Sequence, residues 1–582
     1  MDAPADNSGE DRANEVIRGA ISGLAEADEV VFGELKWLVR LGPRNQALRC
    51  RALLAAAAFT HRRGKGLEHG LEASIVATSI AANHKLFELE VKCRIASGNM
   101  MHALGNPGGA VESFVLALDG ASQLSDRLTE QKLFNNIANA CTVMGLYTEA
   151  SRAYTRAIDL ASGNGSEEAI RSRGETLANV AYCARLQMDV ETGLDAIVHA
   201  VGLMGEPRTA RDKMARCFAE STYCRLLLLA GRSEEARDRA SVLSKLAAES
   251  GSLRADMLCR GVDALVRAHR GDPAGAAFII RGLIATTRNV SADALQEHLD
   301  LAIEVADAGG DVETRVEYLR ELASMRLAEQ RSAAIRLAGV ERALLNASDA
   351  DPEVIQLAGD SWAMLEWMAL VPDVACGRDA EHMFRVGRLT YLLASEMGMA
   401  PDVCNVLERA ARLHDIGNAA VPEVILRKPS RLTSPEMDIA RLHADAGAQI
   451  ISAFDAPGIA AAERIARHHH ERWSGDGGYP HGLHGEAIPL EARMVAIADR
   501  LDTLTHKRPY ASAVDLDAAL IELKLESGAS LDPALTDTMV GVVSRLRSEH
   551  QSLDDFLSVP AAQSRVLAAT MTVREALRRT VT

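Results

Sequence analysis

RLHDIGNAAVPEVILRKPSRLTSPE, residues 412–436, sets an imidazole beside a carboxylate, His414-Asp415, at the end of an apolar helical run (Val406, Leu407, Ala410, Ala411, Leu413). Gly417 and Pro422 mark the stop of that helix, since glycine permits a left-handed exit and proline cannot continue a helix. Taken alone, the pair reads more readily as a helix-terminal His with a surface Asp. What gives it weight is the set that follows at wide intervals: His443, the run His468-His469-His470-Glu471, and Asp499.

Each of these residues falls on its own helical stretch. GRDAEHMFRVGRLTYLLASEMG (377–398) is amphipathic and carries His382, with Val386, Leu389 and Leu393 on one face. NVLERAARLHD (405–415) ends on the opening pair. SPEMDIARLHADAGAQIISA (434–453) begins with a Ser-Pro-Glu helix-start signal and carries His443. IAAAERIARHHHERW (459–473) carries the His run, and LEARMVAIADRLDTLT (490–505) carries Asp499 and Asp502. Five helices, each giving one or two His or Asp side chains to one centre, is how helical bundles build metal sites. Imidazole with carboxylate suits Fe, Mn or Zn, and a central Asp can bridge two ions. A hydroxide held between ions about 3.5–4 Å apart can attack phosphorus in line, and no Ser or Cys nucleophile motif competes with that chemistry.

The rest of the chain is built differently. Residues 15–330 repeat at about 40 residues: LGNPGGAVESFVLAL, MGLYTEASRAYTRAI, QMDVETGLDAIVHAV, AGRSEEARDRASVLS, RGDPAGAAFIIRGLI and GGDVETRVEYLRELA superimpose. Their turns fall at Gly105, Gly145, Met188, Gly231, Gly271 and Gly310. Five residues later comes a small residue, Ala110, Ala150, Gly193, Ala236 and Ala276, with Arg315 the exception. A helix, a tight turn and a second helix that approaches closely through a small residue form a unit unable to bury its apolar face alone, so neighbours stack into a solenoid. The pattern resembles tetratricopeptide-type (TPR) repeats without their Trp and Pro signatures. It predicts a scaffold that docks protein partners. Residues 45–85 hold one more degenerate pair.

The last repeat runs on into a helix over 312–345, whose Val316, Leu319, Ala323, Ala333, Leu337, Val340 and Leu344 approximate a heptad seam. Two readings stand here: a seam pairing two copies in a homodimer, or an amphipathic helix capping the solenoid. The resulting all-α organisation has a disordered start (1–14), the repeat solenoid (15–330), a connecting helical segment (312–370), a helical bundle (372–545) and a helical tail (546–582).

Composition agrees with a globular helical chain: 582 residues, 48% hydrophobic, 4% aromatic and a mean hydropathy of -0.03. A net charge of -16 argues against nucleic-acid polymers or anionic membranes as partners of the whole surface. The nine Cys are unpatterned, and no signal segment or apolar run of about 20 residues is present. A cytoplasmic location is expected.

Residues 378–545 resemble the HD-GYP family of bacterial cyclic-dinucleotide phosphodiesterases, which act on bacterial second messengers in signalling. The resemblance is carried by LHDIG, VPEVILRKPSRLT, HHERW, GYPHGLHGEAIP, ARMVAIADRLDTLT, KRPY and SGASLDPAL in order. It implies an HD-GYP helical bundle in which His382, His414, Asp415, His443, His469, His470 and Asp499 bind two divalent ions, Fe or Mn foremost with Zn, Mg or Ni as alternatives. Asp415 would bridge them, and Arg508 would meet a substrate phosphate. Gly478, Tyr479 and Pro480 would line the nucleotide pocket. His468 is left as a helix-surface residue, and Asp502 as an orienter of a neighbouring His or Arg.

Three departures bear on turnover. Asn418 stands where the family often has a Lys facing the scissile phosphate, a change worth on the order of 10²–10³ in rate. Arg378 stands where members with three metals carry Glu, so two ions are expected. WSGDGGYP has an extra residue, and Ala511 replaces a basic one. The resemblance implies hydrolysis of cyclic di-GMP to pGpG, and on to GMP, under control of the repeats. The alternatives are a catalytically weak cyclic-dinucleotide receptor or adaptor, and an enzyme for 3',3'-cyclic GMP-AMP.

Overall fold

The structure, a computed structural model, describes residues 8–22, 45–63, 66–161, 165–288, 292–345, 361–375, 379–428, 430–506, 513–550 and 552–564. Among them every regular element is helical, and the only ladder pairing is an isolated bridge between Ser527 and Leu531. The all-α expectation holds. The chain divides into two compact units, one of residues 1–125 with 327–573 and one of 126–326 with 574–582. This division differs from the expected boundary at 330–372, because the first repeat helices pack in the same unit as the bundle.

The second unit is an array of helices, Arg127–Val143 through Ala292–Gly309, in which each helix packs on the next. The turn register read from the sequence is the observed one. Gly145, Gly231, Gly271 and Gly310 have φ of 70°, 72°, 87° and 68°, and Met188, at the position without glycine, still adopts φ 61°. The left-handed turn is thus dictated by the stacking of the helices, with glycine the residue that adopts it without strain. The small residues do what close packing requires. Ala150, Ala236 and Ala276 are fully buried, and a Cβ on Gly193 would meet Leu226 at 2.6 Å. Arg315 instead pairs with Asp307 at 2.6 Å.

In the first unit, the helices Ser8–Ser22, Gln46–Arg63, Leu67–Asn83 and Phe87–Ala103 share a core of Val16, Leu53, Phe59, Val76, Ile80 and Cys93. Disorder over 1–14 was the wrong expectation from Ser8 onward. Ala13, Val16 and Ala20 fall at helical spacing and are buried in this core, which outweighs the polar composition of the segment. The Ser361–Ala375 helix packs on the Pro107–Gln123 helix: a Cβ on Gly108 would lie 2.3 Å from the Trp367 ring.

The Val312–Leu345 helix is continuous. Val316, Leu319, Ala323, Ala333, Leu337 and Val340 are all buried within the chain. These buried positions fit the second of the two readings, the amphipathic helix packed within its own chain. The expected boundary at 545 also shifts. The Pro533–Glu549 helix crosses it, and Leu553–Leu557 and Val559–Gln563 pack on the His382–Glu396 helix as part of the bundle. The described cysteines are free thiols, and no described helix is long and apolar enough to cross a membrane.

Met188 is two-thirds exposed, so removing its side chain sacrifices little packing. Met188→Gly should therefore relieve its left-handed strain and stabilise the array by about 1 kcal/mol. Urea unfolding of the full chain would show a higher midpoint for the variant; an unchanged or lower midpoint would contradict the strain.

Candidate metal centre

The bundle brings the dispersed His and Asp residues to one point through short segments at helix ends. His382 opens the His382–Glu396 helix. His414 and Asp415 occupy the turn between Pro401–Ala411 and the 3-10 helix Ile416–Ala420. His443 lies within Ser434–Ile451, whose start is fixed by a reciprocal capping box between Thr433 and Glu436. His469 caps Ile459–His468, His470 follows it, and Asp499 projects from Leu490–Thr505.

Gly417 makes the convergence possible, though not as a left-handed exit: it lies in the 3-10 turn. A Cβ there would be 1.9 Å from the His443 carbonyl oxygen and 2.5 Å from the Gly447 nitrogen. The turn bearing Asp415 therefore lies directly against the backbone of the helix bearing His443, an approach open only to glycine.

The imidazoles are oriented from behind. Nδ1 of His414 faces the Ala411 carbonyl at 2.9 Å, Nδ1 of His443 the Ala440 carbonyl at 2.8 Å, and Nδ1 of His469 the Ile465 and Ala466 carbonyls at 3.1 Å. A carbonyl can only accept, so in these rings the proton is on Nδ1 and Nε2 carries a lone pair. His382 is held at Nδ1 by Asp502 Oδ2 at 2.7 Å. Asp502 in turn accepts from Arg385 at 2.6 Å and 3.2 Å, the orienting role expected of it. Although burial pushes its pKa up, the His382 and Arg385 contacts hold the Asp502 carboxyl well below the usual range.

The other face of these rings points inward. Nε2 of His382, His414 and His469 is buried with no hydrogen-bond partner. Buried polar atoms are nearly always paired, so three such lone pairs turned inward fit bound cations. Asp415 presents Oδ1 at 3.4 Å from His443 Nε2 and 3.6 Å from His469 Nε2, and Oδ2 at 3.9 Å from His414 Nε2. Asp499 Oδ1 is 3.6 Å from His382 Nε2 and 4.0 Å from His414 Nε2. These spacings are too long for hydrogen bonds. They approach the roughly 3–3.6 Å between neighbouring ligands on an ion bound at 2.0–2.2 Å.

Two groups result, His382–His414–Asp499 and Asp415–His443–His469–His470, the ligand atoms of each lying within 4.8 Å of one another. All seven residues expected as ligands are thus together. Burial pushes the His414 imidazole pKa down, and burial with the neighbouring His469 and His443 pushes that of His470 far down, which favours the neutral form that ligates. For His382 burial is outweighed by Asp502 and Asp499, which raise its pKa.

The Gly-Tyr-Pro loop borders this centre. The Tyr479 ring stacks on His470 with centroids 4.7 Å apart, and the Arg441 guanidinium lies 5.3 Å from the Tyr479 centroid. Gly478 is tight against the chain, since a Cβ would lie 2.7 Å from the Arg472 nitrogen. Pro480 follows through a cis peptide bond. Glu471 holds the loop by accepting from the His481 and Leu483 backbone N–H groups at 2.8 Å and 3.0 Å. The sequence marks Glu471 as closing the HHHE run but assigns it no role, and nothing in it singles out Arg441. His468, expected on the surface, is largely buried beside Glu471. Asn418 is only 4% exposed, in the 3-10 turn. Arg508, Ala511 and Arg378 lie outside the described residues.

Residues 369–535 match the family described as HD domain. Among curated relatives, the cyclic di-GMP phosphodiesterase response regulator RpfG of Xanthomonas campestris pv. campestris is 40% identical over 164 residues, 28% of this chain and 43% of that protein. The 3'3'-cGAMP-specific phosphodiesterase 2 of Vibrio cholerae is 33% identical over 181 residues, 31% of this chain and 33% of that protein. The chain thus spans less than half the length of these relatives. Among solved structures, the apo form of RapI aligns with 60% of this chain and 96% of its own, at 14% identity and a TM-score of 0.42.

Gly417→Ala should destabilise the bundle by more than about 3 kcal/mol, because the obstructing atoms are backbone. Thermal melts would read this directly, and a melt like that of wild type would contradict the close approach. Chelator-stripped protein should melt lower than protein with Mn²⁺ or Fe²⁺ restored. An ion at about 100 times its Kd adds about 2.7 kcal/mol per site. Equal melting with and without metal would count against the centre.

Proposed function

We propose that this chain hydrolyses a cyclic dinucleotide, cyclic di-GMP first, to linear pGpG at the centre gathered around Asp415. The observation that carries the reading is the disposition of Asp415, whose two oxygens face separate histidine groups. That disposition supports a carboxylate that would bridge two ions. The likeness over the same residues to proteins named for cyclic di-GMP and cGAMP phosphodiester hydrolysis supports the substrate class.

The ligand set suits two divalent ions, Fe or Mn foremost with Zn, Mg or Ni as alternatives, held by His382, His414 and Asp499 on one side, His443, His469 and His470 on the other, and Asp415 between. Bound there, such ions would supply an activated water and neutralise charge developing on the phosphate. The chain's own groups do the rest. Asp502 and the backbone carbonyls fix the imidazoles, so that no reorientation is needed. Tyr479, stacked on His470, offers an aromatic wall to a nucleotide, with Gly478 and Pro480 shaping the loop. Arg508 is assigned to a substrate phosphate.

Asn418 leaves the phosphate without the cation a Lys would supply, which favours slow turnover and gives the second reading its footing: a receptor that binds the cyclic dinucleotide with little hydrolysis. The repeats would then serve, in either reading, to dock a protein partner that controls the bundle. Packing of Trp367 on Gly108 supports this coupling, since it joins a repeat helix to the helix leading into the bundle.

The test is a hydrolysis assay on anaerobically metal-loaded full-length protein, with cyclic di-GMP and 3',3'-cyclic GMP-AMP supplied in parallel. Formation of pGpG, abolished by Asp415→Asn and accelerated by as much as 10²-fold in Asn418→Lys, is expected. No product from either nucleotide in wild type, with recovery in Asn418→Lys, would replace the enzyme by the receptor.

A further inference from the structure

Asp373 stands near the end of the Ser361–Ala375 helix, directly after Pro372, and is 4% exposed. That helix precedes the ligand-bearing segments, and no motif marks the residue. Yet a carboxylate oxygen of Asp373 lies within 4.8 Å of ligand atoms of both His382 and Asp415. Two ligands of one ion lie at most about 4.4 Å apart, twice a bond of 2.0–2.2 Å. Asp373 is therefore within a few tenths of an ångström of sharing an ion with them. An independent observation concerns the same histidine. His382 Nε2 is buried and unpartnered, while its Nδ1 is committed to Asp502.

We propose that Asp373 is a further metal ligand on the His382 side of the centre. The inference rests on the two-ion reading above and deepens it, because it makes the two sides chemically unequal. The His382 side then has His382, His414, Asp499, Asp373 and the shared Asp415, three carboxylates to two imidazoles. The opposite side has His443, His469, His470 and Asp415, three imidazoles to one carboxylate. Oxygen-rich sites suit Mn²⁺ or Mg²⁺, and imidazole-rich sites suit Fe²⁺ or Zn²⁺. The two sides would select different ions. Asp373 would also tie the centre to the helix whose Trp367 packs on Gly108, so a shift of that helix would reach the metal directly.

Calorimetric titration of chelator-stripped full-length chain with Mn²⁺, followed by metal counting after desalting, tests this. Wild type should take up two ions. Asp373→Asn should weaken one of them tenfold or more and spare the other. His443→Ala should weaken the opposite ion, the two losses should add in the double variant, and Asp373→Glu should recover part of the binding. Mn²⁺ affinities in Asp373→Asn equal to those of wild type would overturn the assignment and leave the two-ion reading intact. Uptake of no ion by wild type would overturn both. Anomalous scattering at the Mn edge from wild-type crystals decides the matter without a variant. An Asp373 carboxylate in contact with an ion supports the assignment, and one beyond coordination distance overturns it.

Discussion

A buried imidazole that gives its only N–H to a backbone carbonyl must find something for its other nitrogen. In this chain that constraint recurs at His414 and His469, with Asp502 taking the carbonyl's part at His382. The carbonyls that accept from Nδ1 lie within or beside each ring's own helix, so at those rings the secondary structure itself sets the tautomer and aims Nε2 inward. Without a cation, the convergence of such atoms in a buried space would be a standing penalty of several unmade hydrogen bonds. With one, the same atoms become a preorganised ligand set.

The remainder of the bundle can be understood as what brings these helix ends together. Gly417 lets the turn bearing Asp415 rest on the backbone of the His443 helix, and the Thr433–Glu436 capping box fixes where that helix begins. Arg385 and Asp502 form a buried pair whose geometry is satisfied on both sides, which is the condition under which buried charges are tolerated. Glu471 holds the Gly-Tyr-Pro loop beside the ligands through two backbone N–H groups.

Much of this was legible in the sequence, and the limits have physical causes. Turn positions repeat because a left-handed residue is needed at each, so even Met188, which breaks the glycine pattern, could be assigned by register alone. His and Asp ligands are chemically rare enough in apolar helices to stand out. Asp373 did not, because a single acid after a proline has no spacing signature and acquires meaning only from its neighbours in space. Gly417 was read as a helix exit, since its true constraint, the backbone of a segment 26 residues on, is tertiary. The Ser8–Ser22 helix was missed, and the seam of Val312–Leu345 left open between two readings, for the same reason: what buries an apolar stripe cannot be read from the stripe.

In the proposed centre Asp415 joins two ions. Electron paramagnetic resonance of Mn²⁺-loaded full-length protein addresses it most directly, since a shared carboxylate couples the two spins. A broad, exchange-coupled spectrum that collapses to isolated Mn²⁺ in Asp415→Asn is the expected result. The resolved hyperfine pattern of isolated Mn²⁺ in fully loaded wild type would contradict the claim.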